Sequence, residues 1–279
     1  MKCFYHSGDL DGQCAGAILK KRYPNAEIIG YNYFYQIDKS VGKIAKDESV
    51  IFADITPVPD HLKVVMSRTS DITIIDHHSS SLDDLKEAGL SFPGIINPGG
   101  IGACVLTWQW CFPDLEVPLG VRYIGEYDDW QRSPENIYFH FGILTFSTFP
   151  GAFVWDDVLN NKLNVIDKLV ATGKNVSNYI FPWYKKLIRS YGIEGSIDGH
   201  STLFINQPNV DGSIFDSVDG SFDYYVRGVY GKDLEWLISI TTNRNDLDVS
   251  EIARKYGGGG RQKTAGFRVK SIEEFFTPN

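Results

Sequence analysis

The sequence predicts an α/β protein. A mostly parallel N-terminal sheet with helices on both faces is followed by a helical connector and a smaller C-terminal α/β domain. Three observations predict this. Short apolar runs alternate with amphipathic stretches through residues 2–112, the rhythm of a βαβ sheet. Helical spacing then dominates from residue 118 to 191. β-rich runs broken by Gly and Asp return over residues 196–242. The boundaries that follow are 1–150, 151–195 and 196–279.

Residues 2–7, 27–33, 50–55, 71–76 and 94–97 read as the strands of the first domain. Between them, residues 12–23 place Cys14, Ala15, Ile18 and Leu19 at helical spacing, and 37–46 are helix-like. The helix at 59–68 opens on Pro59, which suits a first helical position. A further helix is expected at 79–89, and a buried one, with Trp108 and Trp110, at 102–112. In 158–180, Leu159, Leu163, Ile166, Leu169, Val170 and Val176 recur close to a 3.6-residue period. Trp155, Trp183 and Tyr184 are expected to pack between the domains. Residues 201–205, 223–229 and 235–241 are the strands of the last domain.

The 279 residues are 43% hydrophobic and 22% charged, which excludes wholesale disorder. Of a net charge of −8, residues 1–150 carry 12 basic and 19 acidic side chains. That balance argues against long duplex nucleic acid held by net charge. Cys3, Cys14, Cys104 and Cys111 lack the paired spacing of a zinc site. No signal-peptide pattern opens the chain, and no apolar run approaches the ~18 residues of a membrane span. A soluble cytoplasmic protein without membrane contact is the expectation; no oligomeric interface is legible.

Polar groups gather at the predicted strand ends. His6-Ser7-Gly8-Asp9-Leu10-Asp11-Gly12 follows the first strand, Asp54 ends the third, and Asp76-His77-His78 ends the fourth. Tyr127-Asp128-Asp129-Trp130 follows an apolar run. Taken singly, Asp9 or Asp11 reads as a helix cap and Asp54 as a turn residue. Parallel strands, however, bring their carboxyl ends to one edge. That many carboxylates together repel unless a cation joins them, and imidazole with carboxylate suits Mn²⁺, Fe²⁺ or Zn²⁺.

Together these motifs resemble those of the DHH phosphoesterase superfamily, which includes RecJ-type exonucleases, nanoRNases, cyclic-dinucleotide phosphodiesterases and manganese pyrophosphatases. Asp248–Ala253, Gly257–Gly260 and Ala265-Gly266-Phe267 resemble its associated C-terminal substrate-binding domain. The resemblance implies one Mn²⁺ on His6, Asp9 and Asp54. It implies a second on Asp11, Asp54, His77 and Asp128, with Mg²⁺ as the alternative ion. Asp76 would support the site and His78 would reach the substrate phosphate. Two such cations about 3.5–4 Å apart lower the pKa of an attacking water.

Gly258, Gly259 and Gly260 would let backbone N–H groups approach an anion. Here the chain departs from the family, with Arg261 where a His usually follows the glycines. The nearest substitute for an upstream family Arg is Arg244. Arg261 and Arg244 are thus the expected substrate contacts, with Lys263, Arg268, Phe222, Tyr224 and Tyr225 as possible cleft lining. The implied activity is hydrolysis of short oligonucleotides or small nucleotides. The alternatives are a bisphosphorylated-nucleotide phosphatase, a cyclic-dinucleotide phosphodiesterase and a non-catalytic nucleotide sensor.

Overall fold

The computed structural model describes residues 1–32, 41–97, 100–207, 212–218 and 221–279. It divides into two compact units, Met1–Val176 and Ser177–Asn279.

The first unit is built on a parallel sheet of β1 (Lys2–His6), β2 (Glu27–Tyr31), β3 (Val50–Ala53), β4 (Ile72–Asp76) and β5 (Gly94–Ile96). Its order is β2-β1-β3-β4-β5, and every adjacent pair is parallel. Strand order therefore reverses at β1, and ligands bind beyond the carboxyl ends at such a switch point.

The alternation of side chains along each strand builds two cores. Cys3, Ile51, Ala53 and Ile75 face α1 (Leu10–Arg22), α4 (Ala103–Cys111), α5 (Leu119–Asp128) and α6 (Pro134–Ile143). Phe4, Phe52, Ile72 and Ile74 turn to the opposite face, with Leu62 and Val65 of α2 (Pro59–Met66) and Leu85 of α3 (Ser79–Glu87). Phe4 and Phe52 stack there at 4.9 Å. The sheet with helices on both faces is thus as expected. The strand expected at 27–33 ends at Tyr31, and residues 33–40, including part of the helix expected at 37–46, lie outside the described residues.

The region expected as the helical connector, 151–195, carries two helices, α7 (Val154–Leu159) and α8 (Leu163–Tyr191). The chain turns between them at Asn161, whose φ is 53° and whose side chain accepts from the Leu119 N–H. The division between the units falls within α8. Trp155 is buried in the first core, its indole N–H within 3.1 Å of the Thr148 and Phe149 carbonyls. Tyr184 is buried in the second unit, its hydroxyl 3.2 Å from Ser213 Oγ, while Trp183 is 47% exposed.

The second unit carries a mixed sheet of β6 (Gly192–Ile197), β7 (His200–Asn206), β8 (Tyr224–Tyr230), β9 (Trp236–Thr241), β10 (Gly259–Gly260), β11 (Thr264–Val269) and β12 (Thr277–Pro278). The order is β10-β11-β9-β8-β7-β6-β12. Among the described residues, only β7 and β8 pair in parallel; the other neighbours are antiparallel. Val249, Ile252 and Ala253 of α9 (Val249–Lys255) pack on Ala265, Phe267 and Val269 of β11. Two glycines and a Glu in β6 hid that strand from a propensity reading. Among the described residues no helix is long and apolar enough to cross a membrane.

Candidate metal centre

The site forms where β1, β3 and β4 end. Gly12 makes the first close approach: a Cβ there would lie 2.0 Å from the His6 carbonyl oxygen. Only glycine lets α1 start so tightly against the end of β1. Asp9 caps that helix, accepting from Gly12 N at 2.9 Å, and its second oxygen lies 2.9 Å from His6 Nδ1. Capping and site roles are therefore combined in one carboxylate.

Asp11, on the first turn of α1, is buried. Its two oxygens accept from the backbone N–H groups of Ala103 and Cys104 at 2.7 and 3.0 Å, at the start of α4. Asp54 follows β3 in the left-handed region, with φ 59°. Such a backbone costs energy outside glycine and is tolerated best by Asp or Asn. Asp54 is 1% exposed, and neither of its oxygens accepts a well-formed hydrogen bond from a described residue.

His77 is buried, and its Nδ1 lies 3.0 Å from the Ile101 carbonyl, which can only accept. Nδ1 therefore carries the proton. Nε2 faces Asp54 Oδ1 at 3.2 Å, Asp128 Oδ2 at 3.5 Å and Asp11 Oδ2 at 3.7 Å. This arrangement is repulsive unless a cation or a proton joins the groups, and a backbone carbonyl behind the ring is the usual support of a ligating imidazole. On the far side of Asp54, His6 Nδ1 lies 3.4 Å from Oδ2.

Three groups have ligand atoms within 4.8 Å of one another: His6 with Asp9 and Asp54, Asp11 with His77 and Asp128, and Asp54 with His77 and His78. Asp54 belongs to two of them. An orphaned buried carboxylate between two imidazoles, in a nitrogen–oxygen donor set, fits a divalent transition metal.

Asp76 is fully buried and saturated. It accepts from Thr56 Oγ1 at 2.6 Å, His77 N at 2.8 Å and His78 N at 3.3 Å, and lies 2.6 Å from His78 Nδ1. Since an ionised carboxylate only accepts, His78 carries its proton on Nδ1 there and keeps Nε2 for another partner. Asp128 ends α5 facing His77, whereas Asp129 accepts from Gln131 Nε2. Thr56, the Ile101 carbonyl and the α4 N–H groups are parts of the site that sequence reading missed. Thr56 alone had a signal, as a hydroxyl two residues beyond Asp54.

Burial opposes a charge on His6, yet Asp9 and Asp54 outweigh it and raise the imidazole to about 11. Burial, with Asp54 and Asp128, raises the Asp11 carboxyl to about 8 despite its backbone donors and His77. Burial also works against a charged Asp76, but His78, His77 and Thr56 hold it far below the ordinary carboxylate range.

Both raised groups have the same consequence. The stability that neutral Asp11 contributes is complete below pH 3.8 and is lost as pH rises to about 8. That of charged His6 is complete below pH 6.5 and is lost by about 11. Above pH 5 the metal-free protein is therefore expected to weaken as pH rises. Mn²⁺, which displaces both protons, is expected to offset the loss. Thermal melts with and without Mn²⁺ should diverge between pH 6 and 9; a constant gap would contradict this.

In the second unit the glycine run is structured rather than a linker. Gly258 N donates to Ala253 O at 2.9 Å, and a Cβ on Gly258 would lie 2.1 Å from the Gly266 carbonyl oxygen. Gly259 and Gly260 pair with Gly266 and Ala265, and Arg261 N donates to Thr264 O at 2.7 Å. Arg244 is engaged by carboxylates: Nε and Nη2 reach Asp246 at 3.0 and 2.5 Å, and Nη1 reaches Asp223 at 2.6 Å. A substrate contact by Arg244 would have to displace them. Lys263 Nζ binds the Arg244 carbonyl and Asn245, Arg268 lies near Asp233 and Glu235, and Tyr224 and Tyr225 are buried in the unit.

No family model matches the chain. An uncharacterised protein of Acanthamoeba polyphaga mimivirus is 23% identical over 246 residues, a match covering 82% of this chain and 55% of that protein. The chain thus spans about half the length of the curated relative it matches. RecJ from Thermus thermophilus, solved in complex with Mn²⁺, matches at 12% identity and a TM-score of 0.48, covering 98% of this chain and 50% of that one. The DHH domain of a member of the s1p family of ribosomal proteins superposes at a TM-score of 0.60 and 13% identity, covering 95% of this chain and 81% of that one. With its parallel sheet and second mixed sheet, the chain shares the fold of that DHH domain.

Proposed function

We propose that the protein is a divalent-metal-dependent phosphoesterase that hydrolyses the phosphodiester bonds of short oligonucleotides or small nucleotides. The observation that carries this reading is Asp54, a buried carboxylate that takes no well-formed hydrogen bond from a described residue, set between His6 and His77. His6, Asp9 and Asp54 would hold one ion, and Asp11, Asp54, His77 and Asp128 a second. Mn²⁺ suits this mixed set best, with Mg²⁺ as the alternative. Bound there, the cations supply charge neutralisation at a phosphoryl group and an attacking water of lowered pKa.

The chain's own groups do the rest. Asp76 fixes the ring of His78, whose Nε2 is the nitrogen left to meet a phosphoryl oxygen. Asp11 is locked on the α4 backbone, which holds its oxygens in place before any ligand arrives. Gly258, Gly259, Gly260 and Arg261 are the proposed nucleotide contacts, because a guanidinium pairs with phosphate or stacks on a base. The acidic balance of residues 1–150 is compatible with an anionic substrate once two divalent ions are in place.

Incubation with Mn²⁺ and a panel of dinucleotides, 3′-phosphoadenosine 5′-phosphate, cyclic dinucleotides and pyrophosphate, resolved by chromatography, tests the reading. Turnover of linear dinucleotides above the other members is expected. Tight binding of one member with no turnover of any would overturn it in favour of a nucleotide sensor.

A further inference from the structure

Thr56 belongs to none of the ligand groups, yet it is 5% exposed and reaches the buried acid behind the site. Its hydroxyl is 2.6 Å from Asp76 Oδ2, the oxygen that takes no other described bond. Asp76 Oδ1 meets both the His77 backbone N–H and the His78 ring. One oxygen thus carries the histidines and the other carries Thr56.

We propose that Thr56 is a positioning residue, which through Asp76 fixes the ring orientation and tautomer of His78. This rests on the phosphoesterase reading only for its kinetic consequence. The carboxylate rotates about a single soft torsion. With Oδ2 unanchored, it can turn away from His78 Nδ1, and the ring then loses the acceptor that selects its Nδ1–H form. Thr56 lies in the segment between β3 and α2, and Asp76 at the end of β4. The contact therefore ties the segment that follows Asp54 to the pair His77-His78, and the spacing of those two strand ends sets where His78 sits. Loss of such an outer support typically costs about 10-fold or more in activity.

The test compares Thr56→Val, which keeps the shape and removes the hydroxyl, with Thr56→Ser, which keeps the hydroxyl. Thr56→Val is expected to lower kcat about 10-fold, with KM and Mn²⁺ affinity unchanged, while Thr56→Ser stays within about 2-fold of wild type. The second readout needs no turnover: nitrogen NMR of histidine-labelled, metal-free protein at fixed pH. Wild type and Thr56→Ser are expected to give a single Nδ1–H tautomer at His78, and Thr56→Val a mixture. An unchanged His78 tautomer in folded Thr56→Val, or equal losses in Ser and Val, would overturn the proposal. If wild type turns over no substrate, the phosphoesterase reading fails while the tautomer comparison still decides the role of Thr56.

Discussion

Asp54→Asn is expected to abolish hydrolysis while leaving the metal-free protein folded. Asparagine keeps the size of the side chain and tolerates the left-handed φ of 59° that this position requires. It removes a negative charge that, with Asp9, holds the His6 imidazole protonated in the metal-free protein, so that imidazole is expected to titrate lower in the variant. The same change removes the one carboxylate that, among the described residues, borders both His6 and His77. A fall of at least ~10³-fold in kcat/KM is expected, about 4 kcal/mol of lost transition-state stabilisation. Calorimetric melts of the metal-free protein and rate measurements with Mn²⁺ check the two halves. Folded Asp54→Asn protein that keeps its activity would contradict the assignment.

Gly12→Ala is expected to damage fold and site together. The added carbon would lie 2.0 Å from the His6 carbonyl oxygen and 2.8 Å from its carbonyl carbon, both backbone atoms that cannot swing aside. Either α1 or the end of β1 must move. Overpacking of this kind costs about 3 kcal/mol, or roughly 6–12 °C in Tm. The movement carries His6, Asp9 and Asp11 with it, and a displacement of about 1 Å is enough to cost ~100-fold in rate. Gly231→Ala serves as the control, since its nearest neighbour would be an ordinary 3.5 Å contact with the Glu235 carbonyl. Equal behaviour of the two variants in thermal melts and rates would show that the close approach does not matter.

The strand ends were legible because each apolar run stops at a polar cluster: Tyr5 gives way to His6, Ala53 to Asp54, Ile75 to Asp76. Parallel pairing then brings the clusters together without further information. The choice of Asp128 over Asp129 rested on resemblance, yet a local signal existed. Val121, Ile124 and Asp128 are spaced by three and four along α5, which puts Asp128 on the same side of the helix as the buried Val121 and Ile124. The backbone partners were not legible. The Ile101 carbonyl behind His77 and the α4 N–H groups behind Asp11 come from 24 and 92 residues away, and main-chain atoms leave no mark in a sequence. The pairing of Arg244 with Asp223, 21 residues away, was likewise not legible, because spacing along the chain does not show which side chains meet.

The central claim is that the ends of β1, β3 and β4 form a centre for two divalent ions sharing Asp54. Anomalous diffraction at the manganese edge from crystals grown with Mn²⁺ tests it most directly. Two peaks are predicted, one bordered by His6, Asp9 and Asp54 and the other by Asp11, Asp54, His77 and Asp128. No peak at these residues, or a single peak that Asp54 does not touch, would contradict it.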